Sequence, residues 1–354
     1  MSALSRPERA IIVAIILVTA VAGVLRYVGG VSQVLAFAVA TVALAGLAWI
    51  VSFATEQVGQ RLGPAATGVL QSTLGNLPEF FVVIFALNAG QRVVAETAIL
   101  GSILVNALLV LGLVIVAGAL RTRDGVMRFG RRLPNDTATL LLVSSFIIVL
   151  IGLAHSANDS ASHHVETISI IGAVAILLVY GGWLREYLRS DQRPAGGAEP
   201  PRVPVATSVV LLALGGVASA FVSDWFVHAL QPTINTLHIT QAFAGLVIVA
   251  IAGNAVENVA GIVLAAKGRS ELAISVVKNS VAQIAAFLYP LLVLVSLLTA
   301  TRLTFSLAPV YIGALIGTAV IVWQITGDGE ATAFEGGALV ATFVILATVA
   351  AFEK

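Results

Sequence analysis

Two glutamates stand inside long apolar stretches of this sequence, each closing a similar five-residue motif: Gly75-Asn76-Leu77-Pro78-Glu79 and Gly253-Asn254-Ala255-Val256-Glu257. A carboxylate at the centre of a bilayer is expensive, roughly 2.5 to 3.5 kcal/mol for an aspartate on insertion scales, so two at matching positions point to function. Oxygen-bearing side chains recur around them at helical spacing. Asn76 and Glu79 are i,i+3, as are Asn254 and Glu257; on the following apolar stretches Ser102 and Asn106 are i,i+4, and Ser280 and Gln283 are i,i+3. Hard divalent cations such as calcium favour six to eight oxygen ligands with carboxylates supplying the charge. Two carboxylates balance one such cation, and the same two can be neutralised by protons when it leaves. An empty site with two bare buried charges is costly, so this chemistry suits obligatory exchange of cation for protons. The glycine beside each motif, and Pro78 in the first, weaken the local helix and can leave carbonyls free for a cation. Ser102, Ser280 and Asn106, taken singly, fit equally well as hydrogen-bonded contacts between helices.

These residues must be positioned by a membrane scaffold. The 354 residues are 58% apolar and only 10% charged, with a mean hydropathy of +1.01, against a charged fraction of about 25% in soluble domains. Cysteine is absent, which excludes disulfides, thiolate metal sites and cysteine nucleophiles. A spanning helix needs about 20 mainly apolar residues, and the sequence divides into eleven such runs: 9–27, 33–55, 64–89, 93–120, 134–154, 165–184, 204–227, 239–266, 271–299, 304–325 and 334–352. The first run lacks a small-residue cleavage pattern and reads as a retained helix. The expected fold is therefore all-α and polytopic. Alternating the connections between two sides puts 14 basic residues on the side of the N-terminus and 4 on the other, with Lys278 inside a span. That skew predicts a cytoplasmic N-terminus and an outer C-terminus.

The two motifs are offset by 178 residues, and the same offset carries Gly90 to Gly268, Ala95 to Ala273 and Ser102 to Ser280. Each motif lies in the second helix of a five-helix group. Five is odd, so the groups enter the membrane from opposite sides, the inverted repeat of many secondary transporters. The domain reading is an extra helix over 1–32, a first repeat over 33–184, a polar cytoplasmic linker over 185–203 and a second repeat over 204–354.

The motifs with their flanks, Leu100-Gly101-Ser102-Ile103-Leu104-Val105-Asn106 after the first and Asn279-Ser280-x-x-Gln283-Ile284-Ala285 after the second, resemble the cation/proton exchangers of the calcium/cation antiporter superfamily. The resemblance covers about residues 65 to 120 and 240 to 300, and the hydropathy layout extends it along the chain. It implies eleven helices, Ca²⁺/H⁺ exchange and a midmembrane site in which Glu79 and Glu257 bind cation or protons. Asn76, Asn254, Ser102, Asn106, Ser280 and Gln283 then complete or support the site, and the second and seventh spans gate access. No cofactor is implied beyond the transported ions, the partner is a lipid bilayer, and nothing suggests nucleic acid. The expected location is a prokaryotic plasma membrane.

The sequence departs from that family in three places. Lys278 and Asn279 precede Ser280 where the family has a small residue and glycine; about 200° of helical rotation separates Lys278 from Ser280, so it is expected to point elsewhere, with Glu96 as a candidate partner. Pro78 resembles the sodium/calcium exchanger branch, which leaves Na⁺ open as counter-ion. The acidic segment often found between the halves is missing. An intramembrane enzyme is a weaker alternative, since no His-Glu-x-x-His or Gly-x-Ser-x-Gly occurs; a channel is another. His155, Asp159 and His163 recur every four residues and would suit an outer zinc or proton site if helical, against the plainer reading of a solvated loop. Asp328, Glu330 and Glu335 read as solvated charge on an inner loop.

Overall fold

The computed structural model describes residues 4–28, 30–59, 61, 74–190 and 203–353. Among these residues twelve helical segments follow in order. They are α1 (Arg6–Tyr27), α2 (Gln33–Gly59), α3 (Leu77–Asn88), α4 (Arg92–Ala119), α5 (Arg132–Ser156), α6 (Val165–Ser190), α7 (Val205–Leu237), α8 (Gln241–Gly253), α9 (Ala255–Ala266), α10 (Ser270–Leu298), α11 (Pro309–Thr326) and α12 (Ala333–Phe352). Among the described residues nine are long and apolar enough to cross a membrane, and α8 with α9 makes a tenth, bent by 59°. The remaining run, expected over 64–89, is seen from α3 onward; its first part lies outside the described residues.

Burial sorts the helices. In the most apolar window of α4, 83% of residues are buried, and 67% in α10, against 11% in α1. The two helices that follow the motifs therefore run through the middle, and the extra first helix faces lipid along most of its length. Close approach at the centre depends on missing side chains. Where α4 crosses α8, a Cβ on Gly101 would fall on the backbone of Leu246, and one on Gly245 would fall on Thr97.

Contacts between connections respect the two sides expected from charge. On the basic side, Arg61 donates to the Val203 carbonyl (3.1 Å), Arg121 lies against Gly268, and two short strands pair antiparallel. These are β1 (Val126–Arg128) and β2 (Glu330–Thr332), with Met127 opposite Ala331. On the other side, Asn88 accepts from the Ala300 amide (3.2 Å), Arg302 meets Glu166 (3.3 Å), and Thr240 donates to the Ala350 carbonyl (2.6 Å).

Several expectations are corrected. The β1–β2 ribbon was not anticipated. Helix α6 continues through Ser190 into the stretch read as linker; residues 191–202 lie outside the described ones. Helix α7 runs to Leu237, not 227; at 1.5 Å per residue its 33 residues exceed the bilayer core of about 30 Å. The tenth span starts at Pro309, not 304, because 304–308 is held in non-helical form: the Phe305 amide bonds Ser169 (3.1 Å) and Arg92 grips Thr304 and Ser306 (3.0 and 2.8 Å). Of the acidic inner residues, Asp328 and Glu330 are exposed, as expected of solvated charge, with Glu330 3.6 Å from Arg128 and Asp328 accepting from the Glu330 amide at 3.2 Å; Glu335 alone departs, forming a capping box with Thr332 at the start of α12.

Candidate functional site

The two motifs share their local backbone position by position. The helix breaks at Asn76 (φ −83°, ψ 5°) and resumes at Leu77; 178 residues on it breaks at Asn254 (φ −103°, ψ 14°) and resumes at Ala255. Both resumed helices end together in register, α3 at Asn88 and α9 at Ala266. Gly90 (φ +74°) and Gly268 (φ +76°) then turn the chain through the left-handed region that favours glycine. After those turns, α4 and α10 each contain a π-helical stretch, Val105–Val110 and Ile284–Leu288. Such bulges are frequent at functional sites. The break does not leave the asparagine carbonyls free, because Asn76 accepts from the Phe80 amide and Asn254 from the Asn258 amide, both at 3.0 Å.

The breaks bring the side chains together. Glu79 is buried, 6% exposed, in the first turn of α3. Its Oε1 accepts from the Asn254 amide at 2.6 Å and from the Ser102 hydroxyl. Asn254 Nδ2 also reaches Ser102 Oγ at 3.0 Å and the Ala250 carbonyl at 3.0 Å. One carboxylate thus ties three helical segments, α3, α4 and the α8–α9 break, and residues 175 positions apart in sequence meet directly. Gly253 permits this: a Cβ there would stand 2.8 Å from Glu79 Cγ. A narrow cavity opens beside the carboxylate, bounded by Leu44 of α2, Val83, Ile99 and Gly253.

The other expected residues whose side chains are described are buried. Asn106 donates to the Ser102 carbonyl at 2.8 Å, leaving Oδ1 buried without a hydrogen-bond partner among the described residues. Ser280 Oγ and Gln283 Oε1 are buried on α10 in the same condition, as is Asn254 Oδ1. Asn76 is buried at the first break. Glu257 lies on α9, but its side chain is outside the described residues. Buried acceptors without donors are unusual in folded proteins and mark places where a further group belongs. Asn258 was missed: it is buried, its Oδ1 also lacks a partner among the described residues, and it stands one turn from Asn254. The i,i+4 spacing was the available signal.

Lys278 does turn away from this centre. Its ammonium donates to Thr326 Oγ1 on α11 at 2.8 Å. The proposed partner Glu96 is instead bound to Arg92 at 2.6 Å. The histidine pattern does not assemble: α5 ends at Ser156, Asn158 takes φ +54°, and Asp159 caps a short 3-10 turn through the Ser160 amide at 2.6 Å. Among the described residues no three His, Asp or Glu side chains gather closely enough to hold a metal.

Comparison with known proteins follows the same outline. The family described as "Sodium/calcium exchanger protein" matches residues 32–185 and 207–352. A "Ca(2+)/H(+) antiporter" of Aphanothece halophytica is 27% identical over 333 residues, covering 89% of each chain. A "Vacuolar calcium ion transporter" of Schizosaccharomyces pombe is 30% identical over 314 residues, 86% of this chain and 76% of that one. Among solved structures, native YfkE superposes with a TM-score of 0.79 at 24% identity, covering 97% of this chain and 99% of the other.

Proposed function

Because the chain belongs to the sodium/calcium exchanger protein family, a family of membrane cation exchangers, we propose that it exports cytoplasmic Ca²⁺ in exchange for entering H⁺. The observation that carries this reading is the Glu79 carboxylate, buried at a helix break and held by Ser102 and Asn254 from other helices. Two similar relatives, named for Ca²⁺/H⁺ antiport and vacuolar calcium transport, support the choice of ions.

In the proton-loaded or empty form, the Asn254 amide and the Ser102 hydroxyl donate to the carboxylate. A cation needs oxygens instead. Rotation of the Asn254 side chain presents Oδ1 in place of Nδ2, since a primary amide carries donors on one atom and an acceptor on the other. The hydroxyl of Ser102 is both donor and acceptor, so it serves either state. Asn106, Ser280 and Gln283 contribute or orient the further oxygens that a hard divalent ion requires, and Glu257 supplies the second negative charge. With two charges balanced by Ca²⁺ or by protons the site is neutral, and with neither it is not. That difference is what obliges exchange.

The first helices of the two repeats, α2 and α7, pack along each other. Alternating access arises as this pair moves against the central helices, opening the Glu79 cavity to one side at a time. The excess of basic residues orients the cycle with the N-terminus in the cytoplasm. Proteoliposomes loaded with Ca²⁺ should acidify or alkalinise with each direction of Ca²⁺ flux, without Na⁺ present. If Ca²⁺ flux appears only with a Na⁺ gradient, the counter-ion is sodium and the proton assignment fails.

A further inference from the structure

A separate, more polar cavity, sharing no lining residue with the one beside Glu79, lies between the C-terminal end of α1, the start of α2 and the outer part of α7. Its volume is about 170 Å³, and Arg26, Tyr27, Gln33, Trp225 and His228 are among its walls. Arg26 is half-buried, its Nε is enclosed without a hydrogen-bond partner among the described residues, and the guanidinium stands 5.4 Å from the Tyr27 ring. The ring satisfies one face of the cation and none of its N–H groups. Among the described residues no acidic side chain lines the cavity; Asp224, exposed on α7, stays outside the lining. A capping role at the end of α1 accounts for the charge of Arg26 but not for a buried Nε with nothing among the described residues to donate to.

The aromatic wall of the cavity points to the occupant. Tyr27 and Trp225 meet edge to face, centroids 6.5 Å apart, and Trp225 packs so tightly on Gly23 that a Cβ there would lie 2.9 Å from the ring. Such aromatic residues settle at the headgroup level of a bilayer. A guanidinium whose Nε has no partner among the described residues, in one cavity with a histidine and walled by interfacial aromatic residues, matches a phosphate. The geometry points to a binding site for the phosphate of a phospholipid headgroup, held by Arg26 with His228 and Gln33 alongside. The bound lipid joins α1 to the outer ends of α2 and α7, which Thr233 already links by donating to the Gln33 carbonyl at 3.2 Å.

Delipidated full-length protein in detergent is titrated with short-chain phosphatidylglycerol and followed by native mass spectrometry. Wild type should bind one lipid with an affinity that falls about tenfold or more in Arg26→Gln, as loss of charged hydrogen bonds implies. Arg26→Lys should fall between them. A diacyl glycolipid without phosphate should bind no better to wild type than to Arg26→Gln, and equimolar inorganic phosphate should not displace the lipid. Equal phosphatidylglycerol binding by wild type and Arg26→Gln overturns the site. Displacement by micromolar inorganic phosphate overturns the lipid assignment. The measurement involves no transport, so its outcome is independent of the exchange reaction.

Discussion

Gly253 is the position where one added carbon tests the geometry of the site. An alanine Cβ would lie 2.8 Å from Glu79 Cγ and 3.2 Å from Oε1, closer than side-chain carbons approach. Glu79 cannot simply swing aside, because its Oε1 is fixed by Asn254 and Ser102. Overpacking of this kind costs about 1 to 3 kcal/mol, and every 1.4 kcal/mol is tenfold in affinity. Gly253→Ala should therefore weaken Ca²⁺ half-saturation about tenfold in proteoliposome flux. Alanine is otherwise the better helix former, by up to about 1 kcal/mol, so the helix itself gives no reason for loss. Gly317→Ala on α11 provides the control, since nothing lies within 4 Å of its added Cβ; it should leave flux unchanged. Wild-type half-saturation in Gly253→Ala would refute the close packing of Glu79 on the second motif.

Three further substitutions follow from the packing. Thr326→Val removes the acceptor of a buried ammonium and should lower thermal stability in detergent, by about 1 to 3 kcal/mol, whereas Lys278→Met should cost little or stabilise. Gly101→Ala drives a methyl into the Leu246 backbone at the α4–α8 crossing and should abolish folded protein in size-exclusion chromatography, while Gly181→Ala, with open space around it, should not. Replacing His155, Asp159 and His163 together by alanine should leave the pH and zinc dependence of transport unchanged, because Asp159 is spent on a turn and the three do not converge.

The framework was legible because lipid imposes a severe filter on sequence. Backbone groups must be satisfied within helices, so hydropathy alone located most span limits within a few residues. The likeness of the two motif regions was legible at Gly90 and Gly268, which both take positive φ values. The direct meeting of Asn254 with Glu79 was less visible. It depends on the packing of one motif across the other, and no spacing within either motif encodes that distance. Lys278 illustrates the same limit: helical rotation showed that it turns from Ser280, yet its acceptor, Thr326, is 48 residues away and has no charge to advertise it. The π-helical stretches escaped notice because one extra residue per turn changes apolar periodicity too little to be read in an unbroken hydrophobic run. Glu335 looked merely solvated because a span read as starting at 334 hides the capping box it forms with Thr332.

The central claim is that Glu79 and Glu257 together carry the exchanged ions. It is tested by Ca²⁺-dependent proton flux in proteoliposomes containing Glu79→Gln or Glu257→Gln, each checked for folding by its elution and thermal transition. Glutamine keeps the size and loses the charge, so neither variant can offer two carboxylates to Ca²⁺ or release two protons. Both should be folded and without coupled flux. Robust Ca²⁺/H⁺ exchange in either folded variant would contradict the account.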